Sequence, residues 1–504
     1  MNANLFAVLS ENIPNPSATA IETVEGERIS YADLVARTGR MANALAGLGV
    51  QPGARVAAQV EKSVEAIILY LATVRAGGVF LPLNTGYTPA EIEYFVGDAE
   101  PAVFVCDPAR REALQPAADR AGARLVTLDA RGRGTLTDAA EGAPDAFSTV
   151  ERTGDDLAAL LYTSGTTGRS KGAMLTHGNL VSNAMALREA WAYTADDVLI
   201  HALPIFHTHG LFVATNITLF SGASMIFLPK FDPDRILGLM SRATVLMGVP
   251  TFYVRLLEDE RLNTETTVRM RLFISGSAPL LAETHREWQA RTGHAILERY
   301  GMTETNMNTS NPYGGERVAG TVGLPLPGVE VIVTDPEAGA ELPQGEIGMI
   351  EVRGPNVFKG YWRMPEKTAA ELRPNGFFIT GDLGKIDERG YVHIVGRGKD
   401  LIITGGYNVY PKEIETEIDA IPGVLESAVI GLSHRDFGEG VTAVVVPTGK
   451  VGLDEAGVLK GLEGRLAKFK QPKRVLFVDE LPRNTMGKVQ KNLLRDRFRD
   501  LYRA

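Results

Sequence analysis

The stretch Tyr162-Thr-Ser-Gly-Thr-Thr-Gly-Arg-Ser-Lys171-Gly172 directly follows the apolar run Leu157-Ala-Ala-Leu-Leu161. An apolar run that passes into Thr, Ser and Gly predicts a buried strand that ends in a loop, since glycines permit backbone angles that other residues resist. The hydroxyls, the backbone N–H groups and the ammonium of Lys171 suit this loop to bind a polyanion such as a phosphate chain. A flexible surface loop is the alternative, but it would not require the four hydroxyls of Thr163, Ser164, Thr166 and Thr167 interleaved with three glycines beside a strand.

The same stretch departs from the common phosphate-binding loop, in which a Gly-Lys pair is followed by Ser or Thr. Here Ser170 precedes Lys171, and Gly172 follows it. No hydroxyl therefore follows the lysine to bind Mg²⁺. The sequence predicts that the metal ligand comes from another part of the chain.

The composition excludes several classes of protein. A chain of 504 residues is too long for one hydrophobic core, and a domain size of roughly 150 residues predicts two to four structural units. The formal charge of −9 disfavours nucleic acid or an anionic membrane as the main partner. Cys106 is the one cysteine, which excludes a disulfide or a thiolate metal cage within the chain. The N-terminus lacks a signal segment and no apolar run approaches the ~18 residues of a membrane span, so we expect a cytoplasmic protein.

Apolar runs alternate with helical spacing through the first part of the chain. Ser30 is predicted to cap a first helix. A predicted strand at Arg55–Val60 is followed by helical spacing from Val64 to Leu71 and by a strand at Val79–Leu83. Further strands are predicted at Ala102–Cys106, Arg124–Leu128, Val198–Leu203, Ala223–Leu228, Thr244–Met247 and Leu272–Ser275. This alternation predicts an α/β fold, with a large N-terminal domain of doubly wound, mostly parallel sheets and a ligand cleft at the carboxyl ends of the strands. Residues 130–156, rich in Gly, Ala, Asp and Thr, predict a solvated connection.

The pattern changes after about residue 310. Short strands with Gly-Pro turns, such as Val329–Val333 and Gly348–Val352, predict a small β-rich subdomain. The end of the chain has the pattern of a compact α+β unit. We expect an N-terminal domain of residues 1–396 and a small, mobile C-terminal domain of residues 397–504, with a hinge in the glycine-flanked segment Arg397–Asp400.

Four polar positions later in the chain require an explanation. Glu304 stands beside two threonines and could supply the missing magnesium ligand. Asp382 has a carboxylate suited to grip the two hydroxyls of a ribose, and Arg397 is a second candidate for the same sugar. Lys488 follows a glycine, as a lysine on a flexible arm would. Each position alone has an ordinary explanation, since an aspartate in a turn is most often a cap and Lys488 has Lys491 beside it on a solvated face.

In combination and in this order, five segments resemble the AMP-forming acyl-CoA synthetases, the adenylating superfamily that also holds luciferases and the adenylation domains of peptide synthetases. The five are Tyr162–Gly172, Tyr300–Thr305, Thr380–Asp382, Gly396–Asp400 and Pro482–Lys488. Within that family, four further segments look most like the malonyl-CoA synthetases, namely Leu203–Gly210, Arg271–Ala278, Glu298–Ser310 and Gly320–Glu330. The resemblance covers nearly the whole chain.

The resemblance implies a two-step reaction with ATP, Mg²⁺ and coenzyme A. A carboxylate of malonate attacks the α-phosphate of ATP to give malonyl-AMP and pyrophosphate, and the thiol of coenzyme A then displaces AMP to give malonyl-CoA. Lys488, His207 and Glu304 take catalytic roles by this resemblance, with Glu304 as the metal ligand. The residues implied for ATP are Thr163, Ser164, Gly165, Thr166, Thr167, Gly168, Lys171, Gly276, Ser277, Ala278, Tyr300, Thr303, Asp382 and Arg397.

The resemblance also implies that the small domain turns about Lys399 between the two steps. That turn would remove Lys488 and bring Gly405 and Gly406 to the channel for the pantetheine arm, where the absence of side chains admits a narrow thiol. Some relatives carry lysine at position 403, where this chain has Ile403, so no charge-based role carries over there.

The second carboxylate of malonate predicts a cation in the acyl pocket, because burying that carboxylate unpaired would cost several kcal/mol. The resemblance assigns this role to Arg271, with His207, Ser277 and Asn306 as further contacts to malonate. The alternative for Arg271 is a strand-end arginine that pairs with a surface acid. His207 and His209 could instead suggest a metal site, but the sequence offers no third ligand.

Other functions stay open. The acid could be methylmalonate or another short acid, because the sequence does not fix the volume of the pocket. A more distant alternative is an adenylation domain that loads a carrier protein, or a nucleotide sensor, which would have no use for Lys488. No carrier domain follows in this sequence, and we expect free coenzyme A as the acceptor. We also expect Lys488 to be exposed in the thioester-forming state, where a protein lysine acetyltransferase could remove its charge.

Overall fold

A computed structural model describes residues 2–163, 170–404, 407–434, 437–449, 452–463, 465–466, 468–484 and 487–502. The chain divides into two compact units. The first unit comprises Met1–Glu330 and Val352–Phe378, and the second comprises Val331–Glu351 and Ile379–Ala504. The predicted α/β class is confirmed, whereas the boundary between residues 396 and 397 stays a prediction.

The regular elements alternate as the sequence pattern predicts. In chain order, the strands are β1 Thr19–Thr23, β2 Arg28–Ser30, β3 Arg55–Gln59, β4 Val79–Pro82, β5 Val103–Cys106, β6 Arg124–Thr127, β7 Leu157–Thr163, β8 Lys171–Thr176, β9 Val198–His201, β10 Ser224–Phe227, β11 Val245–Gly248, β12 Leu272–Ser275, β13 Leu297–Met302, β14 Asn306–Ser310, β15 Leu324–Pro325, β16 Glu330–Thr334, β17 Gly348–Arg353, β18 Phe378–Ile386, β19 Val392–Arg397, β20 Ile402–Thr404, β21 Tyr407–Val409, β22 Val424–His434, β23 Gly438–Pro447 and β24 Arg474–Phe477.

The helices pack around these strands. In chain order, they are α1 Leu5–Glu11, α2 Tyr31–Gly47, α3 Val64–Arg75, α4 Pro89–Ala99, α5 Arg111–Ala121, α6 Thr135–Glu141, α7 His177–Ala190, α8 Asn216–Phe220, α9 Pro233–Leu239, α10 Pro250–Leu257, α11 Ala282–Thr292, α12 Pro365–Glu371, α13 Pro411–Asp419, α14 Glu455–Gly461 and α15 Lys491–Phe498. A π-helix at His209–Thr215 precedes α8, and short 3₁₀ turns lie at Pro108–Arg110 and Gly398–Asp400. The predicted cap at Ser30 is confirmed, because its side chain accepts the N–H of Asp33.

A nine-stranded sheet in the first unit positions most of the candidate site. Its order is β15-β14-β13-β12-β11-β9-β10-β1-β2. Strands β9 to β13 run parallel to one another in this sheet. The loops that follow β9, β12 and β13 therefore start at the same edge of the sheet, where ligands bind in such folds.

A six-stranded sheet, also in the first unit, carries the hydroxyl-rich stretch. Its order is β6-β5-β3-β4-β7-β8, and β7 and β8 pair in antiparallel fashion with Tyr162 opposite Gly172. The interior of β7 is buried, which confirms that the apolar run at 157–161 is a core strand. Ser164, Gly165, Thr166, Thr167 and Gly168 lie outside the described residues.

Most of the segment 130–156 is exposed or partly exposed, as a solvated connection would be, but the prediction missed its regular structure and its anchoring. This segment contains α6, and its backbone continues against the body of the first unit. The carbonyl of Phe147 accepts a 2.7 Å hydrogen bond from Arg75, and the amide of Asn43 donates to the carbonyl of Pro144 at 2.8 Å. A β-carbon added at Gly39 would lie 1.8 Å from the carbonyl oxygen of Asp145. The segment is rich in polar side chains, but the backbone carbonyls of Pro144 and Phe147 accept hydrogen bonds from side chains that are distant in the sequence.

The second unit is α+β, the class predicted for residues 397–504, although it also includes Val331–Glu351 and begins its second segment at Ile379. It contains a sheet of order β21-β20-β23-β22, to which β24 adds beside β23, and most of a four-stranded sheet of order β16-β17-β18-β19. One buried cluster packs Ile414 and Ile418 of α13 against Val429 of β22 and against Val441 and Val445 of β23. In the part of the chain that the structure describes, no helix is both long and apolar enough to cross a bilayer.

His177 begins α7 and lies in the core of the first unit. Its Nδ1 accepts the backbone N–H of Leu5 at 2.9 Å, which ties α1 to α7. Burial, with a smaller contribution from the charge of Arg152, lowers the pKa of His177 to about 4. The folded protein therefore keeps this imidazole neutral at pH values where a histidine in the unfolded chain, with a pKa of about 6.5, is charged.

His177→Asn should make the free energy of unfolding less dependent on pH between about pH 6.5 and 4. In the wild type, the unfolded chain takes up a proton in this window that the folded protein resists. Stability is therefore complete above about pH 6.5 and falls as the pH falls towards 4. Between about pH 7.5 and 5, His177 accounts for about 2 kcal/mol of this loss. The Asn oxygen can still accept from Leu5 but cannot titrate. Urea titrations at both pH values test this, and an unchanged pH dependence in the variant would contradict it.

Candidate functional site

The hairpin of β13 and β14 presents several of the predicted site residues. Tyr300 pairs with Thr309, and the register shifts before Gly301 pairs with Met307. A β-carbon on Gly301 would lie 1.9 Å from the carbonyl oxygen of Asn306, so only glycine fits this turn of the hairpin. The loop between the strands holds Thr303 and the buried Glu304, and Asn306 begins β14.

The loops after β9 and β12 meet beside this hairpin. The Nδ1 atom of His209, at the start of the π-helix, lies 3.2 Å from the hydroxyl of Ser277. The backbone N–H of His209 donates to Nδ1 of His207 at 3.3 Å. Ser277 has a φ of +71° and Asn306 a φ of +50°, both in the left-handed region that residues with side chains seldom adopt. Strained backbone and π-helices are both frequent at functional sites.

The structure corrects the prediction that Arg271 binds malonate. Arg271 precedes β12, so it lies at the amino end of that strand. Ser277 follows the carboxyl end of the strand, which is roughly 13 Å from the amino end at the usual rise per residue. The Nε and Nη2 atoms of Arg271 bind the two carboxylate oxygens of Asp197, each at 2.7 Å. Its remaining donors reach the carbonyls of Trp191 and Ala192. The alternative of a strand-end arginine paired with an acid therefore fits, except that Asp197 is buried and does not lie on the surface.

Arg299, which the sequence analysis missed, has the properties expected of the pocket cation. It is 3% exposed, and its Nε and Nη2 atoms are buried without a hydrogen-bond partner among the residues that the structure describes. No carboxylate of the described residues lies within 4.0 Å of its guanidinium. A β-carbon on Gly276 would lie 2.4 Å from Cζ of Arg299, so the guanidinium packs on the backbone beside Ser277. Burial lowers the pKa of Arg299 to about 9, and the side chain therefore remains a cation at neutral pH.

Other polar atoms in the loops at this edge of the sheet also have no hydrogen-bond partner among the described residues. These atoms are Nε2 of His209 and both amide atoms of Asn306, all of them buried. Burial, and then the charge of Arg299, lower the pKa of His209 well below its ordinary value, so this imidazole is neutral. A buried cation with neutral hydrogen-bonding groups around it is suited to receive an anion, because buried polar groups otherwise carry a desolvation cost.

Lys171 and Glu304, which are expected to bind phosphate and Mg²⁺, are connected by two residues that the sequence analysis did not identify. Tyr361 Oη lies 3.1 Å from Nζ of Lys171 and 3.0 Å from Oε1 of Glu304. Tyr361 also contacts Glu371 at 2.6 Å, and Glu371 pairs with Lys171 at 3.3 Å. Burial, with the charges of Glu304 and Glu371, raises the pKa of Tyr361, so its hydroxyl stays protonated. Thr163 ends β7, and its hydroxyl is 3.5 Å from the carbonyl of Lys171.

The second unit brings the two predicted ribose residues together. Asp382 and Arg397 face each other across β18 and β19, and Nε of Arg397 lies 2.6 Å from the carboxylate of Asp382. The hydroxyl of Thr380 accepts the N–H of Asp382 at 3.0 Å and so fixes its backbone. The predicted hinge residue Lys399 lies in a 3₁₀ turn, and its neighbour Asp400 pairs with Arg495. Gly405 and Gly406 lie outside the described residues.

Lys488 lies on a turn of the second unit and is exposed. The side chain of Asn484 accepts the backbone N–H of Lys488 at 3.0 Å, and the N–H of Asn484 donates to the carbonyl of Lys488 at 3.0 Å. Gly487 has a φ of +74°, which the turn requires and which glycine adopts without strain. The turn thus holds the backbone at Lys488 while its side chain faces outwards.

The sequence carried one signal for Arg299. It follows the apolar run Ala295-Ile-Leu297, whereas Arg271 precedes the apolar run Leu272-Phe-Ile274. Ligands bind at the carboxyl ends of parallel strands, so a charged residue that follows an apolar run is a better candidate for the site than one that precedes it, and this favours Arg299 over Arg271. Tyr361 and Glu371 carried no comparable signal.

Comparisons with known proteins identify the family of this chain. Residues 12–362 match the AMP-binding enzyme family, and residues 413–488 match the AMP-binding enzyme C-terminal domain. A malonate–CoA ligase of Arabidopsis thaliana is 36% identical over 482 residues, which cover 89% of this chain and 79% of that protein. A feruloyl-CoA synthase of Amycolatopsis sp is 37% identical over 489 residues, which cover 96% of each protein. The crystal structure of ATP-bound MatB from Rhodopseudomonas palustris is similar with a TM-score of 0.98 and 70% identity, over all of both chains. The chain belongs to the family of AMP-binding enzymes.

Proposed function

We propose that this protein is an ATP-dependent malonate–CoA ligase, which forms malonyl-AMP and pyrophosphate and then transfers the malonyl group to coenzyme A. The observation that carries the proposal is the buried guanidinium of Arg299, whose Nε and Nη2 atoms have no hydrogen-bond partner in the described part of the chain. These two atoms form one edge of the guanidinium and can bind both oxygens of a single carboxylate. The same edge of Arg271 is filled in that way by Asp197.

A dicarboxylic acid fits this arrangement better than a simple acid. One carboxylate of malonate must reach the α-phosphate of ATP, and the other keeps its negative charge throughout the reaction. Arg299 would pair with that second carboxylate in a buried setting, where a charge without a partner is costly. Relatives named for malonate and for ferulate are equally similar to this chain, at 36% and 37% identity. The buried cation Arg299 therefore favours a dicarboxylic acid, whereas the overall identities do not distinguish malonate from ferulate.

In the first half-reaction, a carboxylate oxygen of malonate attacks the α-phosphorus of ATP, and the bond to pyrophosphate breaks. His207, Ser277 and Asn306 would position malonate, and Lys171 with Thr163 to Gly168 would hold the outer phosphates. The adenine would lie by Gly276, Ala278 and Tyr300, and the ribose by Asp382 and Arg397. Lys488 supplies a cation that offsets the charge developing at the α-phosphate.

Mg²⁺ would enter with ATP and be held by Glu304. The described residues contain no group of three or more His, Cys, Asp and Glu side chains that could hold a metal ion. One carboxylate together with the nucleotide phosphates is a usual setting for Mg²⁺, which keeps several of its waters, so the donor set fits. When bound, the ion neutralises part of the phosphate charge. Thr303 lies beside Glu304 in the same loop and could contribute a hydroxyl to this region.

In the second half-reaction, the thiol sulfur of coenzyme A attacks the malonyl carbonyl, and AMP leaves with the bond electrons. A turn of the C-terminal domain about Lys399, and a pantetheine channel along Gly405 and Gly406, are part of the proposal on family grounds. The cytoplasmic location also stays a prediction.

Regulation by acetylation of Lys488 is a further part of the proposal. The side chain is exposed on its turn, and acetylation would remove the charge that the first half-reaction uses. Mass spectrometry of the protein from its native cells tests this point, and we expect a fraction of Lys488 to be acetylated. A complete absence of the modification under all growth conditions would contradict it.

A panel of acids tests the proposed function. Release of AMP with ATP, Mg²⁺ and coenzyme A should be followed with malonate, methylmalonate, succinate, acetate, octanoate and ferulate. We expect kcat/KM for malonate to exceed that for acetate by at least about 10²-fold, because acetate leaves Arg299 unpaired. A preference for acetate, octanoate or ferulate would contradict the malonate assignment and leave the adenylation chemistry in place.

A further inference from the structure

A segment of the first unit, 358–362, lies between strand β8 and the β13–β14 hairpin. On one side, the N–H of Trp362 donates to Gly172 at 2.7 Å, and the N–H of Met174 donates to Gly360 at 3.0 Å. On the other side, the N–H of Phe358 donates to the carbonyl of Glu304 at 2.8 Å. The segment therefore connects the strand that begins at Lys171 to the loop that holds Glu304.

The side chain of Tyr361 makes the same connection with its hydroxyl. Oη contacts Lys171, Glu304 and Glu371 at distances from 2.6 to 3.1 Å. The ammonium of Lys171 also lies 4.2 Å from the centroid of the Tyr361 ring. Phe358 packs on the same ring with centroids 4.8 Å apart, which fixes its orientation. One phenol thus joins the cation expected to bind phosphate to the carboxylate expected to bind Mg²⁺.

Glu371 completes this group at the end of α12. Its carboxylate lies 3.3 and 3.4 Å from Nζ of Lys171 and 2.6 Å from Nζ of Lys367, one helical turn earlier. The side chains of Lys171 and Glu371 are 15% and 22% exposed, so water screens the pair only partly. Without this carboxylate, a half-buried lysine would have several rotamers available before a phosphate arrives.

We propose that Tyr361 and Glu371 are positioning residues for the adenylation step. Tyr361 holds Lys171 and Glu304 at a fixed separation, and Glu371 keeps Lys171 ordered in the absence of nucleotide. The inference rests on the proposed use of ATP by this site, but it does not depend on which acid is activated. Only the first half-reaction uses the outer phosphates, so a loss of this order should affect ATP binding and adenylation and leave thioester formation unchanged.

Tyr361→Phe is the sharpest test, since it removes the hydroxyl and keeps the ring that packs on Phe358. We expect the dissociation constant of Mg·ATP, measured by calorimetry without any acid, to rise about 10- to 100-fold, because a hydrogen bond to a charged group is lost. Glu371→Gln should also raise the dissociation constant of Mg·ATP, by a smaller factor, because the amide keeps the shape of the carboxylate and loses its charge. The rate of thioester formation from preformed malonyl-AMP should stay within about twofold of wild type for both variants, because that step does not use the outer phosphates.

Tyr313→Phe is the matched control. Tyr313 also packs on a cation, with its ring centroid 4.9 Å from Cζ of Arg271, which lies at the amino end of β12. Its Mg·ATP affinity should equal that of wild type. An unchanged Mg·ATP affinity in Tyr361→Phe would overturn the inference. Equal falls in the rates of both half-reactions would also overturn it, provided that the variant unfolds at the same temperature as wild type. If only the malonate assignment is wrong, the acid panel will show a preference for another acid, and the dissociation constants of Mg·ATP will still change as expected.

Discussion

Lys488→Ala should lower the rate of malonyl-AMP formation by about 10³-fold or more and leave thioester formation from preformed malonyl-AMP close to the wild-type rate. The attack of a carboxylate on the α-phosphate gathers negative charge, and a positioned cation that is present only at this step lowers the barrier. The thiol attack on malonyl-AMP has no such demand at the same atom. Exchange of pyrophosphate into ATP measures the first half-reaction, and release of AMP from malonyl-AMP and coenzyme A measures the second.

The control for this variant is Lys460→Ala. Lys460 is an exposed lysine at the end of α14 in the same unit, so its removal changes the net charge equally without touching the turn at Asn484. Both half-reactions of this control should match wild type. Equal losses of both half-reactions in Lys488→Ala would contradict the assignment of this lysine to the adenylation step.

Arg299→Met should lower kcat/KM for malonate by roughly two to four decades, which corresponds to about 3–5 kcal/mol. The substitution keeps an unbranched chain in the cavity and leaves the free carboxylate of malonate without its cation. The loss should be far smaller for acetate, which has no second carboxylate to pair. The ratio of kcat/KM for malonate to that for acetate is therefore the decisive quantity, because a general loss of folded protein lowers both values equally.

Arg271→Met is the matched control for that prediction. It removes the cation at the amino end of β12. Asp197, which is almost fully buried, is then left without its partner. The expected cost is one of stability, since a buried carboxylate that loses its arginine is strongly unfavourable. The preference of this variant for malonate over acetate should equal that of wild type. A specific loss of malonate turnover in Arg271→Met, with Arg299→Met unaffected, would return the role to Arg271.

The sequence located the framework of the site well because its signals are local. Each parallel strand is a short apolar run that ends in polar residues, and Leu272–Ser275 forms a strand with the predicted bounds. Asp382 and Arg397 were both assigned to the ribose, and the hairpin of β18 and β19 brings them into register. These features depend on residues that are close in the chain or that share one motif.

The parts that the sequence did not predict depend on contacts between distant residues. Arg271 and Arg299 both flank apolar runs, and only the position of Asp197, 74 residues before Arg271, decides which guanidinium is already paired. Tyr361 lies 190 residues after Lys171, so no local pattern relates the two. Within residues 130–156, composition does not reveal that Arg75 binds the carbonyl of Phe147. Long-range pairing of polar groups is the information that local patterns lack.

A crystal structure of the protein with malonate and a non-hydrolysable ATP analogue tests the role of Arg299 most directly. We expect one carboxylate of malonate to accept two hydrogen bonds from Nε and Nη2 of Arg299, at about 2.7–2.9 Å, and the other carboxylate to face the α-phosphate. Arg271 should remain bound to Asp197 in that complex. Malonate bound with its second carboxylate away from Arg299, or an Arg271 that has left Asp197 to bind the acid, would contradict this recognition of malonate.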